Sequence, residues 1–170
     1  MPGARRTFPA RENPFILWFR WLETRIVLWD TPNVLDMNVL VDIVEKQPLK
    51  VVVSDDSAYV RMRVLELLSE LDQVKVVAET DTVASTIETV QSLHPDVVIL
   101  DINMPDGSGI RALKSIKTSL PDTVVIMLTN HAHPLYRETC MKAGAHYFFD
   151  KSSEFDRVGN VLQQLASGPH

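Results

Sequence analysis

The chain has 170 residues, 45% hydrophobic and 23% charged, a balance that suits one globular domain with a sizeable core plus an extension. Its formal net charge of -5 at pH 7, with no run of Lys and Arg to offset it, argues against direct nucleic-acid binding, because proteins that track phosphate backbones present a basic field.

Residues 1–48 contain all three tryptophans, Trp18, Trp21 and Trp29. Phe15, Trp18, Phe19, Leu22, Ile26 and Trp29 recur at helical spacing after Asn13-Pro14, which predicts an amphipathic helix. Arg20, Glu23 and Arg25 make the stretch too charged and too short for a membrane span, and no small-residue cleavage site marks a secretory signal. A helix lying on a membrane surface or against a partner protein is what such a segment could form, and Met37 offers an alternative start of the natural chain. Val39 to Val44 predicts a short lead-in helix, closed by Gln47-Pro48.

From Leu49 onward, short apolar runs alternate with longer amphipathic stretches, as in βα units around a parallel sheet. Lys50 to Ser54 reads as the first strand, followed by a helix from Ser57 with Val60, Val64, Leu67, Leu68 and Leu71 inward. Val74 to Glu79 reads as the second strand. Asp81 is placed to cap the next helix, with Val83, Ile87 and Val90 inward and His94-Pro95 as its stop. Val97 to Leu100 fits a strand buried on both faces that delivers Asp101 to its end. Pro105, Gly107 and Gly109 then turn the chain before the helical pattern Ile110, Leu113, Ile116, which Pro121 ends.

Thr123 to Thr129 reads as the fourth strand, and His133-Pro134 opens a helix running to Ala143, with Gly144 as its left-handed end. His146 to Asp150 is the fifth strand. Ser152 or Ser153 is expected to cap a last helix with Phe155, Val158, Val161, Leu162 and Leu165 inward. Cys140 is the only cysteine, so no internal disulfide forms, the cytoplasm is the default compartment, and packing on a helix is its plain role. Several of these strands end in polar groups suited to phosphate or metal chemistry: Asp55-Asp56, Asp101, Thr129 and Asp150-Lys151. A parallel sheet gathers them at one edge, where open α/β sheets bind ligands.

Residues from about Leu49 to Ala166 thereby resemble the receiver domain of two-component response regulators. The resemblance rests on features in the family's order: the acidic pair Asp55-Asp56, Asp101 within D-x-x-M-P-x-x-x-G, Thr129 after the fourth strand, the aromatic Phe148, and Lys151 after the fifth. It implies a flavodoxin-like (βα)5 doubly wound parallel sheet of strand order 2-1-3-4-5 over residues 49–170, with residues 1–48 as an N-terminal extension. It implies that Asp101 accepts a phosphoryl group from a sensor histidine kinase or a histidine phosphotransfer protein. It further implies Mg²⁺ (or Mn²⁺) held directly by Asp56 and Asp101, with Asp55 acting through water and the backbone carbonyl of Asn103 adding a ligand. Lys151 and Thr129 would then contact phosphoryl oxygens, and Phe148 would occupy the aromatic switch position. The expected role is signalling, with no enzymatic activity beyond self-catalysed phosphotransfer and autodephosphorylation. Because the chain ends at Ser167 to His170, a stand-alone receiver acting through protein–protein contacts on an unidentified target is expected.

Three positions depart from the family pattern. Ser152 stands where many receivers have Pro after the Lys, so the resemblance does not carry over a cis bond there. Asn130 stands where a small residue is common and bears on phosphodonor access. His131 either influences the attacking water or is an ordinary exposed loop residue. A haloacid dehalogenase-like phosphohydrolase shares a strand-end Asp nucleophile, a Thr, a Lys and Mg²⁺, but it uses a second Asp two residues after the nucleophile. Here that position is Asn103, which cannot act as a general acid.

Overall fold

The computed structural model of the chain describes residues 47–168. The expected helices over Phe15 to Trp29 and Val39 to Val44 lie outside the described residues. The elements in order are β1 (Leu49–Ser54), α1 (Ala58–Ser69), β2 (Val74–Thr80), α2 (Val83–Leu93), β3 (Val97–Leu100), β4 (Asn103–Met104), β5 (Gly107–Ser108), α3 (Gly109–Ser119), β6 (Val124–Thr129), α4 (Pro134–Lys142), β7 (Tyr147–Asp150) and α5 (Arg157–Ser167).

Five strands form one sheet in the order β2-β1-β3-β6-β7, and every neighbouring pair is parallel. With the small β4-β5 hairpin set aside, this is the expected order 2-1-3-4-5. Alternating residues feed two cores. Val52, Val98, Leu100, Val125, Met127 and Phe148 face a layer containing Val83 and Val90 of α2, Leu113 and Ile116 of α3, and Cys140 of α4. Val51, Val53, Ile99, Ile126, Leu128 and Phe149 face Val64 and Leu68 of α1 and Val158 and Leu162 of α5. Central strands covered on both faces must be apolar throughout, which explains the uninterrupted run in β3.

Two helix starts differ from the sequence expectation. Thr82, not Asp81, caps α2: its Oγ1 accepts from the Ser85 amide while the Ser85 hydroxyl accepts from the Thr82 amide. Neither Ser152 nor Ser153 caps α5, which begins five residues beyond Ser152, after Asp156. Asp150 takes the turn instead, its side chain accepting from the Ser152 amide at 2.8 Å and its carbonyl from the Glu154 amide at 2.8 Å. Phe155 therefore enters the core from a turn rather than from the helix. Gly144 has the expected left-handed backbone, with φ +100°, and His94 ends α2 in the same region with φ 47°. There is no cis peptide bond among the described residues, so Lys151-Ser152 is trans.

Gly109 sets the closeness of the turn that follows Asp101. Its amide donates to the Ile102 carbonyl at 2.7 Å, and a Cβ there would sit 1.8 Å from the Asp101 carbonyl oxygen. Gly109→Ala forces that backbone apart and is expected to destabilise the protein by about 3 kcal/mol, measured as a lowered urea midpoint at unchanged m. A midpoint equal to that of the parent protein would show that the turn has slack.

Candidate functional site

The register of the central strands brings the acids together. Ser54 pairs with Leu100, so β1 and β3 end at the same level and release Asp55 and Asp101 side by side. The Asp101 amide donates to the Ser54 carbonyl at 2.9 Å, and the Asp55 amide donates to the Thr80 carbonyl at 3.1 Å, which extends the ladder one residue past each strand. Asp55, Asp56 and Asp101 each offer a carboxylate oxygen, and these atoms all lie within 4.8 Å of one another. Asp55 and Asp101 are buried, whereas Asp56 is exposed.

Lys151 enters this cluster from the far side of the sheet. Its amide donates to the Thr129 carbonyl at 3.0 Å, continuing the pairing of β6 with β7. Its ammonium then lies 2.5 Å from Asp55 Oδ2 and 2.9 Å from Asp101 Oδ2. The remaining carboxylate oxygens are also used: the Ser57 amide donates to Asp55 Oδ1 at 3.0 Å and the Ile102 amide to Asp101 Oδ1 at 2.6 Å. Burial raises the pKa of Asp55 above the ordinary carboxylate value, and the bond and attraction from Lys151 offset this only in part.

Three acids facing one ammonium leave net negative charge in a part-buried space. A hard divalent cation suits that donor set, since Mg²⁺ prefers carboxylate oxygens and keeps several waters. The chemistry of the donors therefore fits the metal that the resemblance implies.

The other expected site residues surround the cluster. Thr129 is completely buried at the end of β6, and its Oγ1 accepts from the His131 amide at 3.1 Å. Asn103 lies in β4, two residues beyond Asp101, and its side-chain amide meets His131 Nε2 at 2.5 Å. His131 thus links Thr129 to Asn103, with its ring edge-on to Tyr136. Phe148 is 2% exposed, on the same core face as Met127.

The structure adds residues that sequence reasoning did not single out. The guanidinium of Arg137 lies 4.7 Å from the Phe148 ring centre and donates to the Phe148 carbonyl at 2.8 Å. Glu154 bonds Arg137 at 3.1 Å, accepts from the Asp150 amide at 3.1 Å and pairs with Arg157. The Asp150 amide, then the two guanidinium groups, hold the Glu154 carboxyl below its usual range. An Arg on a short exposed helix has no spacing that would have marked it. Ser57, expected at the start of α1, caps that helix with its side chain and gives its backbone amide to Asp55.

A model of the family described as response regulator receiver domain matches residues 51–163. The Fimbriae Z protein of Salmonella typhimurium is 30% identical over 122 residues, which cover 72% of this chain and 58% of that protein. Protein-glutamate methylesterase/protein-glutamine glutaminase 1 of Methanosarcina acetivorans is 35% identical over 81 residues, 48% of this chain and 23% of that protein. Among solved structures, the signal receiver domain of NarL from Mycobacterium tuberculosis superposes with a TM-score of 0.66 at 28% identity, covering 72% of this chain and 99% of that domain. The chain spans little more than half the length of the curated relatives it matches first.

An acid whose folded-state pKa is raised lets the unfolded chain release its proton first as pH climbs. Stability then falls from the unfolded value upward, and the full cost is present above the folded value. Asp55 is such an acid, with an unfolded value near 3.8. A cation that binds the cluster offsets that cost, so Mg²⁺ at about ten times its Kd is expected to add about 1.4 kcal/mol at pH 7.5. The same concentration should add less at pH 4.5, where protons compete for the acids, and Asp56→Asn should remove most of the increment at either pH. Thermal unfolding with and without Mg²⁺ checks this, and an increment indifferent to both pH and Asp56 would place the ion elsewhere.

Proposed function

The chain belongs to the response regulator receiver family, and from that premise we propose that it takes a phosphoryl group on Asp101 from a phosphohistidine on a sensor histidine kinase or histidine phosphotransfer protein. The observation that carries this reading is the Lys151 ammonium bonded to both Asp55 and Asp101, at 2.5 and 2.9 Å, within a ring of three carboxylates. An ordinary buried ion pair would need one acid, not three.

In the transfer, an Asp101 carboxylate oxygen forms a bond to phosphorus, and the phosphorus–nitrogen bond breaks with its electron pair returning to the donor imidazole. Asp55, Asp56, Asp101 and the backbone carbonyl of Asn103 would hold Mg²⁺ (or Mn²⁺), which when bound neutralises charge on the phosphoryl oxygens. Lys151 keeps its ammonium against Asp101 and pairs with a phosphoryl oxygen as a point charge. Thr129 Oγ1 accepts from His131, which leaves its own proton for a second phosphoryl oxygen. Water reaching the same face would hydrolyse the acyl phosphate, and from their place after Thr129, Asn130 and His131 would bear on its approach.

The new group carries about -1.5 to -2 of charge at neutral pH, enough to draw Thr129 and Lys151 toward it. Phe148, on the Thr129 side of the sheet, would follow and re-pack the face made by α4, β7 and α5. Downstream signalling would then pass through protein contacts rather than direct nucleic-acid contact. The cytoplasm suits this chemistry, and Cys140 is buried as a plain core residue whose thiol pKa burial pushes up. Residues 1–48 would be a separate extension of the receiver at 49–170. The haloacid dehalogenase-like phosphohydrolase is disfavoured because Asn103 offers no carboxylate and its side chain is already engaged with His131.

Asp101→Asn is expected to fold but to gain no phosphoryl mass from acetyl phosphate and Mg²⁺, whereas the parent chain gains one group per molecule by intact mass spectrometry. Phosphoryl uptake by the variant equal to that of the parent would refute the assignment. Beryllofluoride with Mg²⁺ should shift the NMR signals of Thr129 and Phe148 in the parent. Shifts confined to residues near Asp55 and Asp101 would retain the acceptor and remove the switch.

A further inference from the structure

The hairpin that follows Asp101 is fastened at three points. At its root, the Gly109 amide donates to the Ile102 carbonyl at 2.7 Å. In its middle, the buried Met104 packs its sulfur 3.7 Å from Ser54 Oγ. Ser54 belongs to a buried hydroxyl cluster. Thr86 Oγ1 lies 2.6 Å from the Thr82 carbonyl, 2.5 Å from Ser54 Oγ and 2.9 Å from Thr80 Oγ1, so the three hydroxyls share hydrogen bonds within one buried group. The tips of β1 and β2, the first turn of α2 and the hairpin therefore share one anchor.

At its tip, the hairpin reaches α2 through Asp106. Asp106 Oδ1 accepts from the Val83 amide at 2.7 Å and Oδ2 from the Ala84 amide at 2.9 Å, partners 23 and 22 residues away in the chain. These two amides hold its carboxyl below the usual carboxylate range although the side chain is exposed. The helix already has its own cap, because Thr82 and Ser85 satisfy each other's amides. A second, bidentate acceptor supplied from another loop adds something that the Thr82–Ser85 cap does not: it joins two elements.

We propose that Asp106 is a positioning residue for the phosphoacceptor loop, clamping the hairpin tip to the first turn of α2 so that the backbone from Asn103 to Ser108 is fixed before metal or phosphoryl group arrives. The inference rests on the proposed metal role of the Asn103 carbonyl. Its energetic logic is preorganisation: a loop already held in place loses less freedom when a ligand binds. Asp106 touches neither the acids nor Lys151, so it acts only through the loop backbone.

The test compares the full parent chain with Asp106→Ala, Asp106→Asn and Thr82→Ala, using Mg²⁺ alone as the probe. Thr82→Ala weakens the cap of α2 without touching the hairpin, so it reports what a merely structural loss does. Asp106→Ala is expected to weaken Mg²⁺ binding about tenfold, as loss of a supporting outer contact does, read from the Ile102 amide signal. It should also speed hydrogen exchange at the Gly109 amide about tenfold in the absence of metal, through easier local opening of the loop. Asp106→Asn, which keeps one acceptor, should fall between, and Thr82→Ala should stay within about twofold of the parent in both readouts despite a lowered melting temperature. If Asp106→Ala lowers the melting temperature as Thr82→Ala does and leaves both readouts unchanged, Asp106 is only a second helix cap and the proposal fails. If the parent chain itself binds no Mg²⁺, the metal assignment fails, and Gly109 exchange alone decides whether Asp106 holds the loop. Should Asp106→Ala not fold, Asp106→Asn carries the same comparison.

Discussion

Two buried carboxylates released by neighbouring strands, with one ammonium between them, constrain everything around this site. Asp55 and Asp101 emerge one residue beyond the paired Ser54 and Leu100, so the parallel register itself makes them neighbours. Like charges in a part-buried space repel, and each carboxylate loses solvation, so the pair calls for compensating partners. Lys151 supplies part of it from the end of β7, and backbone amides of Ser57 and Ile102 supply more. The compensation is incomplete, which is why burial still pushes the Asp55 pKa upward.

The sheet explains why this crowding occurs at that place. The strand order reverses between β1 and β3: the chain proceeds from β1 outward to β2 and returns to β3 on the other side. Helix α1 packs on one face and α3 on the other, so the loops leaving β1 and β3 diverge and open a crevice at the carboxyl ends of the strands. In those loops the Ser57 and Ile102 amides donate to the Asp55 and Asp101 carboxylates. An anionic ligand with a hard cation is what such a place can stabilise, and a fold-level rule thereby acquires particular atoms.

Most of the architecture was legible because buried parallel strands leave a strong signal. Val97 to Leu100 and Val124 to Leu128 could be read as strands from their apolar runs, and the five-strand order followed from the family resemblance. The acids, Thr129 and Lys151 were legible because each stands where an apolar run stops. What was not legible depended on side chains meeting across long stretches of sequence. Asp81 and Ser152 are good capping residues by type, but Thr82 forms a reciprocal pair with Ser85 and Asp150 captures the turn after β7. Arg137 and Asp106 reach partners 11 and 23 residues away, distances at which periodicity carries no information.

The contacts of Phe148 bear on how a charge at Asp101 could be felt at a distance. Helix α4 has one fully buried side chain, Cys140, and its hold on the sheet is supplemented by Arg137, which covers the Phe148 ring and bonds its carbonyl. A helix so lightly packed belongs to the low-stability end of a domain, where small free energies change its position. Phe148 has no hydroxyl to hold an outward position, so the inward one is favoured by burial and by the guanidinium above it. Glu154 joins Arg137 to the turn that begins at Asp150, next to Lys151. Under the proposed phosphorylation, a displacement of Lys151 toward new negative charge would act on the same turn that holds Arg137 over the ring. Phe148 and Asp150 of the fifth main strand are joined in this way through Arg137 and Glu154, by hydrogen bonds and an ion pair.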